Sequence, residues 1–224
     1  FLKNYPNCKI ETEKRLISLF KRSYSAEKNI VPFLSISDFS EKITNYDKII
    51  CSGSLGKFFR TNLNDFPKYN RLVPEEKELE KIKNILKLNN NKKKVGISWK
   101  SKRKFYGDGK SFELCNLFNI LKNTEIDFIN LQYGDVSKDI KELKNKHNLI
   151  LTEIKDIDLM NDFEKISALL CSLDLFVTVS NSTAHLAGAL NVPTILIKPK
   201  SYALFHYWSQ PTNTTPWYAS IEMI

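Results

Sequence analysis

Residues 173–197 read LDLFVTVSNSTAHLAGALNVPTILI. An apolar strand-like run (LFVTVS) leads into small polar residues, then a nearly uncharged helical stretch (TAHLAGAL), then a second apolar run (PTILI). Strands without polar alternation that are joined through a helix belong to a parallel sheet covered on both faces. The chain is rich in lysine, yet the turn between these two strands carries Ser180, Asn181, Ser182, Thr183 and His185 and no lysine.

The same alternation extends toward the N-terminus. Strand KVGISW (94–99), helix FELCNLFNILKN (112–123), strand DFINLQY (127–133), helix VSKDIKELKNKH (136–147), strand NLILT (148–152) and helix DFEKISALLCSL (162–173) precede the opening stretch. This order predicts a doubly wound α/β domain over residues 91–224. Residues 1–90 read as an incomplete α/β domain with a linker helix. Helix TEKRLISLFKRS (12–23) places Leu16, Leu19 and Phe20 on one face, and NIVPFL (29–34) and YDKIICSG (46–53) read as strands. PEEKELEKIKNILKL (74–88) begins with proline and acids and carries Ile82, Ile85 and Leu86 on one stripe, as a helix start requires. NNNKKK (89–94) reads as a solvated linker, and PWYASIEMI stops inside a strand, so both ends of the chain are expected to be cuts.

Composition bounds the function. With 224 residues, 42% hydrophobic and 12% aromatic, the chain can bury a substantial core. It has no apolar run of bilayer length and no charged-then-apolar leader pattern, so a soluble, cytoplasmic protein without a membrane span is expected. Cys8, Cys51, Cys115 and Cys171 lie far apart, which predicts reduced structural thiols and no metal site. The formal charge of +9 comes from 29 Lys and only 5 Arg. Nucleic-acid recognition favours the planar arginine fork, so no nucleic-acid partner is expected.

In a parallel sheet, ligands bind beyond the carboxyl ends of the strands. Gly53, Gly107, Gly109 and Gly134 follow predicted strands, while Gly96 lies inside one, where close approach of backbone or ligand is a common reason. The loops 98–111, 131–135, 153–162 and 180–185 should therefore share one rim. A helix N-terminus offers unpaired N–H groups and a partial positive charge, so Ser180 to Thr183 can hold an anion without a cationic side chain, with His185 in reach. The same residues also suit a simple helix cap. Ser98 and Lys100 end a strand on this rim, where Lys100 can neutralise a phosphate or be one exposed lysine among many. Gln132 and Tyr133 are placed to bond or stack on a nucleoside, although Tyr133 also suits a core position. With no histidine or further acid run beside it, the DID at 156–158 reads as an acidic loop leading to an Asn161 cap, with Glu164 three residues on.

Together, VGISWKSK, LQYGD, the stretch 156–197 and TPWYAS resemble the C-terminal, donor-binding half of bacterial glycosyltransferases linked to tetratricopeptide repeats. These are similar to heptosyltransferases of glycosyltransferase family nine and to O-linked N-acetylglucosamine transferases. The resemblance covers most of residues 94–220 and implies the GT-B architecture, two facing Rossmann-like domains. It implies a UDP- or ADP-sugar donor as substrate, no obligatory metal or other cofactor, and inverting transfer to a hydroxyl of a sugar, lipid-linked glycan or protein. Residues 8–72 would then resemble the end of the acceptor-side domain. Carried over, the donor diphosphate lies on Ser182 and Thr183 with His185 nearby and Lys100 opposite, and a carboxylate base comes from the first domain. Heptosyltransferases usually carry an aspartate where this chain has Ser180 and Asn181, which leaves the donor sugar open.

Three other readings make distinct demands. A sugar-nucleotide epimerase or hydrolase on the same scaffold needs acids and histidines for proton transfer, and the chain has only 3 histidines. A degenerate domain kept as a binding or scaffold module would carry the rim residues as relics. A dinucleotide dehydrogenase needs a G-x-G-x-x-G turn, which follows none of the strands.

Overall fold

The computed structural model describes residues 5–25, 28–33, 46–66, 72–89, 91–199 and 204–224. They form two compact units, Phe1–Asn70 and Arg71–Ile224.

In the first unit, strand β1 (Ile10–Thr12) leads through helix α1 (Ile17–Tyr24) into strand β2 (Ile30–Pro32), and the two strands pair in parallel with Ile10 opposite Ile30. Leu19 and Ile30 are its buried apolar contacts. Residues 46–51, expected as part of a strand, form none: Ile49 and Ile50 are both exposed, and Ser52–Ser54 turn into a 3-10 segment before the short helix α2 (Gly56–Phe59). The end of NIVPFL at 34 lies outside the described residues.

The second unit begins with helix α3 (Glu76–Asn89), the expected linker helix, so that helix belongs to this unit. The Glu75 carboxylate accepts from the amide of Glu78 at its start, and Ile82 and Leu86, four apart on one face, are buried. Strand β3 (Lys93–Ser98), helix α4 (Phe118–Leu121), strand β4 (Ile126–Asn130), helix α5 (Ser137–His147), helix α6 (Phe163–Leu170), strand β5 (Leu175–Val179), helix α7 (Ser182–Ala189) and strand β6 (Thr194–Ile197) follow. Strands β7 (Thr214–Thr215) and β8 (Tyr218–Met223) complete a six-stranded sheet of order β4-β3-β5-β6-β8-β7. All pairings are parallel except β7 with β8. Nearly every residue of β3, β4 and β5 is buried. Successive side chains point to opposite faces, so both faces are covered. The expected doubly wound α/β architecture is present.

Local departures have physical reasons. Lys93 and Lys94, read as linker, are the first residues of β3, and the Lys94 ammonium is buried 3.2 Å from Asp127, which also accepts from the Thr152 hydroxyl. The helix expected at 112–123 breaks into a 3-10 turn (Leu114–Leu117) before α4. NLILT at 148–152 is not a strand. Asn148 ends α5 in the left-handed region, Ile150 faces solvent, and only Thr152 bridges to Ile129 of β4. Helix α6 is capped by Asp162, whose carboxylate accepts from the amide of Lys165, while the Asn161 side chain donates to Asp158.

Gly96 marks packing: a Cβ there would lie 2.6 Å from Leu173 and 2.9 Å from Leu131. From β3 the chain runs to β4 on one side and then to β5 on the other. The carboxyl ends of β3 and β5 are thus the point where the winding reverses, where ligands of such sheets bind.

Candidate functional site

The reversal point is built on two buried amide side chains. Gln132, just beyond β4, accepts through one oxygen from the amides of Trp99 (2.8 Å) and Lys100 (2.7 Å) and from the Ser98 hydroxyl (3.0 Å). Its own nitrogen donates to the Tyr133 carbonyl. Asn181 caps α7 by accepting from the amide of Ala184 (3.0 Å), and it donates to the Ser98 hydroxyl (2.9 Å) and the Lys100 carbonyl (3.3 Å). The two side chains lock the end of β3 to the start of α7. They also use up their own polar atoms, so Ser98, Gln132 and Asn181 shape the rim from beneath. Ser180 is likewise occupied, its hydroxyl accepting from the buried Trp208 indole at 3.0 Å.

What the rim leaves open is the first turn of α7. Ser182 is exposed, Thr183 buried, and no described residue accepts from the backbone amide of either. Because the Asn181 oxygen takes up only the Ala184 amide of this turn, the Ser182 and Thr183 amides and hydroxyls remain at the positive end of the helix.

His185 lies in the same turn, stacked on Trp208 (centroids 5.0 Å apart, planes at 29°), with Tyr207 edge-on. Its Nδ1 is 3.0 Å from the Tyr218 hydroxyl. Burial first, then the nearby charges of Lys110 and His206, push its pKa down to about 4, so the ring is neutral near pH 7. Tyr218 fits because residue 188 is glycine: a Cβ there would lie 2.4 Å from the Tyr218 ring.

Lys100 and Tyr133 sit at the rim by their backbones. The Lys100 ammonium turns to Asp139 on α5, with oxygens at 2.6 and 2.8 Å, and the same carboxylate accepts from the Trp99 indole. The Tyr133 hydroxyl accepts from the amide of Lys102 at 3.4 Å.

The residue missed from sequence is Lys110. The loop after β3 is pinched at its base by the Phe112 amide donating to the Trp99 carbonyl, and folds back at Gly107, where a Cβ would meet the Ser101 carbonyl at 2.3 Å. The Ser111 hydroxyl accepts from the Ser101 amide and donates to Gly107, closing the turn. Lys102, Arg103 and Lys104 face solvent, whereas Lys110 is only 7% exposed. Its ammonium lies 3.8 Å from the centroid of the Phe205 ring, and no described carboxylate pairs with it. Burial, then Arg103, lowers its pKa. The signal in the sequence was Gly107, three residues before it, where the loop doubles back.

Among the described residues, no group of three His, Cys, Asp or Glu side chains is arranged to hold a metal ion, and no helix is long and apolar enough to cross a membrane. Helix amides, hydroxyls, a neutral imidazole and a buried cation are the kinds of group that can hold an anion.

No family model matches the chain. Protein FlbA of Caulobacter vibrioides is 28% identical over 224 residues, 95% of this chain, and the chain spans 37% of that relative's length. Among solved structures, the ADP-heptose lipopolysaccharide heptosyltransferase II of E. coli superposes on 100% of this chain and 83% of its own with a TM-score of 0.59 and 14% identity. A glycosyl transferase family 9 structure from Veillonella parvula DSM 2008 covers 69% of this chain and 42% of its own, with a TM-score of 0.49 and 10% identity. The fold is heptosyltransferase-like, of the GT-B kind.

Proposed function

We propose that the chain is the donor-binding part of a glycosyltransferase, taking a nucleoside diphosphate sugar and passing its sugar to an acceptor hydroxyl. The observation that carries this reading is the open first turn of α7 together with the buried Lys110, which no described carboxylate pairs with and whose charge acts on His185 in that turn. A dianionic bridge such as a diphosphate satisfies two amides, two hydroxyls and a cation at once. The heptosyltransferase-like fold supports the same reading.

In this account the acceptor oxygen attacks the anomeric carbon from the face opposite the diphosphate. The bond to the bridging oxygen breaks, and the electron pair leaves with the nucleoside diphosphate, inverting the centre. Ser182, Thr183 and Lys110 stabilise the charge growing on that oxygen without moving, and Lys110 takes the part first read for Lys100. His185 acts as a neutral group: in the tautomer whose Nδ1 accepts from the Tyr218 hydroxyl, the proton sits on Nε2, available to a phosphate oxygen. Because protein groups supply the positive charge, this reading assigns no metal to the step. The acceptor proton passes to a carboxylate outside this site. Donor identity (UDP- or ADP-linked hexose or heptose), a sugar, lipid-linked glycan or protein acceptor, attached tetratricopeptide repeats, a kinship with O-linked N-acetylglucosamine transferases and a cytoplasmic setting all belong to the same proposal.

Calorimetric titration of the chain with UDP, ADP, GDP and CDP and their common sugars tests it. The reading expects one diphosphate to bind, and its sugar conjugate to bind through the same residues. A folded sample that takes up none of them would refute the donor-site reading.

A further inference from the structure

We propose that Phe205 is a positioning residue that holds Lys110 charged and aimed at the donor diphosphate; this rests on the donor-site reading above. A lysine buried to this degree ordinarily either pairs with a carboxylate or surrenders its proton. Among the described residues no carboxylate pairs with Lys110, and its ammonium stands 3.8 Å from the centre of the Phe205 ring. The electron-rich face of a phenyl ring attracts a cation but carries no formal charge, so it neutralises nothing. A carboxylate in its place would compete with a diphosphate for the same ammonium hydrogens.

The ring is itself fixed from two sides. Tyr106 meets it edge-on, with centroids 6.0 Å apart and planes at 72°, and the Arg103 guanidinium lies 5.1 Å from its centre. Phe205 also packs on the cluster of Ala184, Leu196, Trp208, Ile221 and Met223, which includes the first turn of α7. One side chain therefore ties the loop carrying Lys110 to the helix that presents the open amides. The depression of the Lys110 pKa by burial and by Arg103 accords with a cation kept in place against a cost.

The test compares Phe205→Leu, which keeps apolar bulk but removes the π face, with Phe205→Tyr, which keeps the face. Lysines are dimethylated with carbon-13, and the Lys110 signal is identified by its loss in Lys110→Arg. The wild type and Phe205→Tyr should show that signal shifted upfield by the ring current, and Phe205→Leu should return it to the ordinary position and lower its pKa further. Titrations of the unmodified proteins with UDP, ADP, GDP and CDP should show the diphosphate that the wild type takes up binding about fivefold more weakly to Phe205→Leu and equally well to Phe205→Tyr. If Phe205→Leu leaves the Lys110 signal, its pKa and the affinity unchanged, Phe205 has no positioning role and the inference is overturned. If the wild type binds none of the four diphosphates while the Lys110 signal responds to Phe205 as stated, the contact stands and the aim toward a diphosphate is overturned with the donor-site reading.

Discussion

At the residue scale the site is a division of labour between side chains that reach a ligand and side chains that hold them. Lys110 belongs to the first kind. Replacing a buried cation that no described carboxylate pairs with, Lys110→Met should leave stability unchanged or raised, since no ion pair among the described residues is broken. It should weaken nucleoside diphosphate binding about tenfold, the worth of one charge-assisted contact; parallel calorimetry and urea unfolding check both halves. Gln132 belongs to the second kind. Gln132→Ala strands the Trp99 and Lys100 amides beneath the rim, and a loss of about 2–3 kcal/mol in urea unfolding is expected. His185 sets a pH dependence. Its folded pKa of about 4 lies below the ordinary 6.5, so as pH falls from 6.5 to 4 the unfolded chain takes up a proton that the folded chain refuses. The stability held above pH 6.5 is lost across that window, by about 3 kcal/mol at most. His185→Gln should flatten this part of the stability profile, and identical profiles for the two proteins would show that the ring titrates normally.

At the element scale, the contacts of α7 decide whether the rim forms. Gly188 lets α7 lie against β8, so Gly188→Ala must displace the Tyr218 ring and with it the partner of His185. A cost of about 1–3 kcal/mol is expected for Gly188→Ala alone and little further cost when it is made in a Tyr218→Ala background, as thermal unfolding of the two single variants and the double variant would reveal. The same elements show what was legible in the sequence. Strands β3, β4, β5 and β6 were readable because apolar runs between turn residues have one stable use, a sheet covered on both faces. NLILT and residues 46–51 carry similar runs and form no strand. Apolar content does not supply a ladder partner, and Ile150, Ile49 and Ile50 end up facing solvent. The first turn of α7 was readable for a like reason, since Ser, Asn and Thr before an Ala- and Gly-rich helix mark a start. The choice among the cations of loop 100–110 was not. It depends on the Gly107 turn and on Phe205, almost a hundred residues away, and no local pattern encodes that contact. Lys100 was the plausible choice by position, but Asp139 on α5 engages its ammonium.

At the scale of the whole molecule, every residue of the candidate site lies in the unit Arg71–Ile224. Nucleoside diphosphate binding should therefore persist within about twofold when residues 71–224 are produced alone, a difference of a few tenths of a kcal/mol. Among the described residues of the loop after β3, the lysine withdrawn from solvent is Lys110, and it sits against an aromatic ring. The measurement that bears most directly on the central claim is an amide and lysine NMR titration of the chain with the diphosphate that binds. The account predicts that the Ser182 and Thr183 amides move most, with the Lys110 ammonium, while the buried Asn181 and Gln132 side chains hold their positions. Saturable binding that leaves Ser182, Thr183 and Lys110 unmoved would place the ligand elsewhere and contradict it.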